Sequence, residues 1–165
     1  MIPRSAHLVL VAALLCGASC AKEDAPPVLI EAFPSDAAVI AADRALPEDD
    51  GWRIAASEPG AVRLFEVDGE LCEDCRLLYR AQVRTQDLAE KAYLEMWVRI
   101  PGQGEFFSRG LDQPVSGTSN WASLEIPFFL QKGQRPEVVK LNVVFESSGG
   151  SLSIKDIELW SAPLP

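Results

Sequence analysis

Residues 92–100 read AYLEMWVRI. Ala92, Leu94, Met96, Val98 and Ile100 share one phase, and Tyr93, Glu95, Trp97 and Arg99 share the other. A strand sends successive side chains to opposite faces, so this unbroken period of two describes a strand with one face in a core. The competing reading is a helix over 86–97, because Leu, Ala, Glu and Lys are good helix formers. The alternation decides for a strand, with 87–90 as the turn before it.

The neighbouring segments follow the same rule. Over 77–84, Tyr79, Ala81 and Val83 face one way and Arg80, Gln82 and Arg84 the other. Two strands joined by a short turn are expected to pair as neighbours. Arg80, Gln82, Arg84, Tyr93, Glu95, Trp97 and Arg99 would then share one outward face. Residues 138–146 alternate with Val139, Leu141, Val143 and Phe145 inward and Lys140 and Asn142 outward. In 121–130 Pro127 suits an edge or a bulge. In 152–160 the apolar phase slips between Ile154 and Ile157, which a bulge at Lys155-Asp156 would restore.

Upstream, 28–33, 52–56 and 61–67 read as strands. The Ala-rich 36–46 suits a helical turn or two, 47–51 (PEDDG) a turn, and Asp68-Gly69 a hairpin. Residues 108–120 read as a polar loop. About nine short strands separated by turns predict an all-β, antiparallel β-sandwich of jelly-roll type over 28–165, not βαβ units.

The N-terminus carries an address. Arg4, the apolar run 7–15 and the small residues Gly17-Ala18-Ser19 form an export signal over 1–19, too short to span a bilayer. Gly17-Ala18-Ser19-Cys20 resembles the lipobox of bacterial lipoproteins, which implies a lipid on Cys20 and cleavage just before it. The alternative is a plain secretory signal that leaves Cys20 free. Residues 21–27 (AKEDAPP) then read as a flexible tether. In lipoproteins of the enterobacterial type, Asp after the cysteine favours the inner membrane; Ala21 stands here, so the resemblance implies the outer membrane.

Composition narrows the chemistry. The 165 residues hold 15 basic and 24 acidic side chains, net −9; Arg4 is the only charged residue in 1–19, so removing that segment lowers the net to −10. Such acidity argues against nucleic acid and against charge-driven docking on anionic lipid, so the lipid anchor is the expected membrane contact. The only histidine, His7, lies in the signal, so the exported chain has no imidazole base and no histidine ligand for zinc. Hydrolysis by paired carboxylates would draw on Glu95, Glu105 or Glu125, but no pair stands out, and we read the chain as non-catalytic.

Cys72-Glu73-Asp74-Cys75 is a CxxC motif. Zinc lacks a second pair, and haem attachment lacks a histidine at Arg76. Glu73 and Asp74 oppose the stabilised thiolate that a redox dithiol needs. A local disulfide in an oxidising envelope remains, with two inert thiols as the alternative.

The pieces WASLEIPFFLQKGQRPEVVKLNVVF (121–145) and GSLSIKDIELW (150–160) resemble jelly-roll modules of the carbohydrate-binding and galactose-binding-like kind. That resemblance implies glycan binding. Many such modules carry two adjacent acids in the last motif; here Lys155 precedes Asp156, leaving Asp156 either as a calcium ligand or as an acid bonding its own bulge. Sugar rings stack on flat aromatics and their hydroxyls bond Arg, Glu and Gln, so the face named above is the expected glycan site, with Trp97 and Tyr93 as platforms. The competing roles for that face are a solvated sheet surface and a module that docks an envelope protein through a sheet edge.

Overall fold

The segments 77–84 and 92–100 belong to one strand. The computed structural model describes residues 25–69 and 71–165, and the expected export signal, Cys20 and most of the expected tether lie outside them. Among the described residues there are nine strands and no helix: β1 Val28–Phe33, β2 Ala45–Glu48, β3 Gly51–Ala55, β4 Gly60–Asp68, β5 Cys75–Ile100, β6 Gly104–Arg109, β7 Val115–Leu130, β8 Val138–Phe145 and β9 Ser151–Pro163. All pairings are antiparallel.

β5 changes partners along its length. Its first half, 75–86, lies between β9 and β7; its second half lies between β8, against 92–99, and β6, against 95–100. The turn expected at 87–90 is a bend instead. Asp87 takes a left-handed φ of 54°, which a short polar side chain tolerates. The bend is held from outside. Thr118 Oγ1 accepts the Asp87 N–H at 3.0 Å, and Gly150 packs so close that a Cβ there would lie 2.3 Å from the Asp87 carbonyl oxygen. The expected polar loop is shorter for the same reason: 115–119 pairs along the bend, with Val115 opposite Ala92 and Ser119 opposite Thr85.

The bend turns one sheet into two leaves. The first contains β2, β3, β9, the first half of β5 and β7, with β1 also on β9; the second contains β4, β8, the second half of β5 and β6. They pack face to face, as Phe33 of β1 and Trp52 of β3 both meet Phe65 of β4, at centroid distances of 4.0 and 5.4 Å. The inward residues of both β5 halves, Leu77, Tyr79, Ala81 and Val83 with Ala92, Leu94, Met96, Val98 and Ile100, enter a single core. This is a jelly-roll-type β-sandwich.

The Ala-rich 36–46, expected to form a helical turn or two, makes one such turn, closed by Ala45 N–H to Ala41 O at 2.8 Å, and passes into β2. A lone helical turn is marginal in water, whereas Ile40 N–H here bonds the edge of β4 at Leu64 O (2.9 Å) and helps close the sandwich. Asp68-Gly69 is not a hairpin turn, because β4 pairs with β8 rather than β5; Gly69, at φ 123°, instead donates to Glu137 O. The bulge expected in β9 is present: Arg80 faces Glu158 and Gln82 faces Lys155, so one extra β9 residue is accommodated and Ile154 and Ile157 both point inward.

Candidate functional site

Opposed residues of adjacent antiparallel strands share a face, so the registers define what each leaf presents outward. On the second leaf one row is Arg63, Asn142, Glu95 and Arg109, and the next is Glu66, Lys140, Trp97 and Phe107. Glu95 organises both rows. Its Oε1 accepts Trp97 Nε1–H at 2.7 Å and Asn142 Nδ2–H at 3.0 Å, and its Oε2 accepts Arg109 Nε–H at 2.6 Å. Glu95 and Asn142 are each only 2% exposed. A carboxylate this buried is tolerable because a guanidinium neutralises it and three donors satisfy it. The same bond holds the Arg109 guanidinium more firmly protonated than usual.

The network fixes an aromatic ledge. The Trp97 indole is partly buried and cannot turn without losing Glu95. Phe107 lies beside it at 5.1 Å, is 51% exposed, and carries the Arg109 guanidinium over its ring at 4.5 Å. Lys140 closes one side through Glu105 (2.6 Å), which holds that carboxyl below the usual range. Arg99 is exposed and pairs with Glu137 at 3.3 Å. Tyr93 is 7% exposed, so it does not offer the second open platform expected four residues from Trp97. Opposite it, Val144 is buried as well.

Arg80, Gln82 and Arg84 do not join this face. They lie on the first leaf, because the two halves of β5 belong to different leaves instead of pairing with each other. There Arg80 pairs with Glu125 of β7 and lies over the Trp160 ring at 5.1 Å. Arg84 pairs with Glu48 at 3.4 Å and lies over Trp121 at 5.0 Å. An open groove of about 430 Å³ runs beside Arg80 and Gln82.

Sequence reasoning left Trp160 and Glu158 unassigned. Lys140 and Asn142 were legible as outward residues, but nothing in β8 alone shows that they face Trp97 and Glu95.

Cys72 and Cys75 are joined by a disulfide, with Cα atoms 6.2 Å apart. The small loop between them is pinned to the turn before β8, since Glu73 accepts from Gly133 N–H (3.2 Å) and Arg135 Nη2–H (3.1 Å). Asp156 occupies the β9 bulge with φ 49° and is exposed. Calcium needs six to eight oxygens. Among the described residues no group of three or more His, Cys, Asp or Glu side chains is arranged for a metal ion.

No protein-family model matches the chain. No curated protein matches it. Solved structures do. A xylan-binding domain, CBM22-1 of Xyn10C from Paenibacillus barcinonensis, superimposes with a TM-score of 0.53 at 6% identity, over 84% of this chain and 97% of that one. A family 16 carbohydrate-binding module gives 0.47 at 10% identity, over 78% and 82%. A Stig cyclase from Fischerella sp. TAU gives 0.49 at 11% identity, over 72% and 67%. At these identities the likeness is one of fold: the chain is built as an all-β jelly roll.

Proposed function

We propose that this chain is a non-catalytic glycan-binding module, held at the outer membrane of a bacterial envelope by a lipid on Cys20. One observation carries the binding reading: Trp97, an outward aromatic, is locked in place by a carboxylate that is itself 2% exposed. Such an arrangement costs stability to build and serves recognition, because a platform already ordered loses little entropy when a sugar stacks on it. Lys140, Arg99 and Glu105 around the ledge supply charged partners for hydroxyls. The fold, shared with a xylan-binding domain, is compatible with this use. Trp97→Ala is expected to weaken binding to its best ligand in a polysaccharide panel at least tenfold, measured by affinity electrophoresis. Unchanged mobility in every retarding polysaccharide would remove the ledge from the site.

The anchor reading rests on Gly17-Ala18-Ser19-Cys20 and the tether after it. Cys20→Ser is expected to abolish lipid labelling and release the chain from the membrane fraction; persistent labelling would refute it.

A second reading has its own support. Among the described residues β6 and β7 each pair on one side only, and Phe106, Phe107 and Phe129 on them are 41%, 51% and 53% exposed. Such an edge suits an envelope protein that adds a strand. Recovery of one stoichiometric protein partner, lost in Phe129→Ser and retained in Trp97→Ala, would favour docking over glycan binding.

A further inference from the structure

The first-leaf groove is built from different chemistry. Its walls are fixed: the Arg80 guanidinium bonds Glu125 and covers Trp160, while Trp160 Nε1–H donates to Glu158 Oε2 at 2.7 Å. Gln113 reaches over from the β6–β7 connection, and its Oε1 accepts the Glu125 N–H at 3.2 Å. Among the described residues, the Gln113 amide nitrogen, the Gln82 side chain and the Ser123 hydroxyl then line the groove without hydrogen-bond partners. These donors stand among three acceptors, the carboxylates of Glu125, Asp156 and Glu158.

Three ligand classes can be weighed against that lining. An apolar ligand would strip water from these polar groups without replacing their bonds. An anionic ligand would meet three carboxylates against one guanidinium. A neutral polyol satisfies both kinds of group, since each hydroxyl donates and accepts. The groove's volume, about 430 Å³, is of the size that small ligands occupy. The Trp160 ring carries Arg80 above it, so recognition here is by hydrogen bonds rather than by stacking.

We propose that this groove is a second glycan site, so that one chain grips two segments of neutral polysaccharide, one on each leaf. The sites are independent: the groove is lined from the first leaf and the β6–β7 connection, and the Trp97 ledge from the second. The proposal shares only the ligand class with the reading above and does not require the ledge to bind.

The test is calorimetric titration of the purified chain with xylohexaose, cellohexaose and laminarihexaose. A stoichiometry of two is expected for the ligand that binds. Ser123→Trp, which fills the groove, should leave one site, and Trp97→Ala should leave the other. Gln82→Ala, a milder change, should weaken the groove site at least fivefold and keeps the test valid if Ser123→Trp misfolds. A stoichiometry of one that Trp97→Ala abolishes and both groove variants leave unchanged would overturn the second site while leaving the ledge. A single site abolished by Ser123→Trp and untouched by Trp97→Ala would keep the groove and remove the ledge. No binding of any of the three would count against both.

Discussion

The two halves of β5 obey one alternation and present ion pairs of opposite character. In the second half Glu95 is 2% exposed, and its bond to Arg109 is one of three that it accepts. In the first half the Arg80 and Glu125 side chains are 35% and 43% exposed. An outward position on a sheet is therefore not a solvated one by default. Where neighbouring rows supply Trp, Asn and Arg, a carboxylate is drawn into a closed network and removal of one partner leaves buried groups unmet. Where water reaches both charges, screening leaves the pair little to contribute.

That comparison can be broken at the bend that separates the halves. Gly150→Ala combines a φ of 79° with a Cβ placed 2.3 Å from the Asp87 carbonyl. It is expected to cost about 3–5 kcal/mol by urea denaturation, through backbone strain and overpacking together. A loss below about 1 kcal/mol would mean that the bend yields easily. Next is Glu95→Leu, which leaves Arg109, Asn142 and the Trp97 N–H without their acceptor and should cost about 3 kcal/mol in the same measurement. Trp97→Phe removes one donor and keeps a ring, so about 1–2 kcal/mol is expected.

The matching change on the first leaf, Glu125→Leu, should cost less than about 1 kcal/mol, since both members of the pair are more than a third exposed. A loss equal to that of Glu95→Leu would erase the distinction between the leaves. The smallest effect is in acid. The Ser153 hydroxyl, and after it Arg84, hold the Glu48 carboxyl below the usual carboxylate range against the opposing effect of burial. A carboxyl lowered by folding adds stability above its unfolded pKa, and that stability is lost as pH falls through the folded value. Melting temperatures between about pH 6 and pH 3 should therefore fall slightly less steeply in Glu48→Gln than in the parent.

Several features were legible because their cause is local. The alternation at 77–84 and 92–100 reports which side chains enter the core, whatever the partner strands are. The slip between Ile154 and Ile157 announced the bulge, because two inward residues three apart admit few other solutions. Other features depend on residues far away in the chain. Asp87 looks the same to its neighbours whether the chain reverses or bends; Gly150 and Thr118, distant in sequence, decide that it bends. Asp68-Gly69 has hairpin chemistry, but β4 finds its partner in β8. Glu95 reads as an ordinary outward acid until Asn142 and Arg109 arrive on either side of it. The sequence by itself determined the alternation at 77–84, 92–100 and 138–146, the absence of histidine beyond His7 and the all-β class. Tertiary structure alone decided which strands meet, and so which leaf each outward residue occupies, because register joins segments that no local pattern relates.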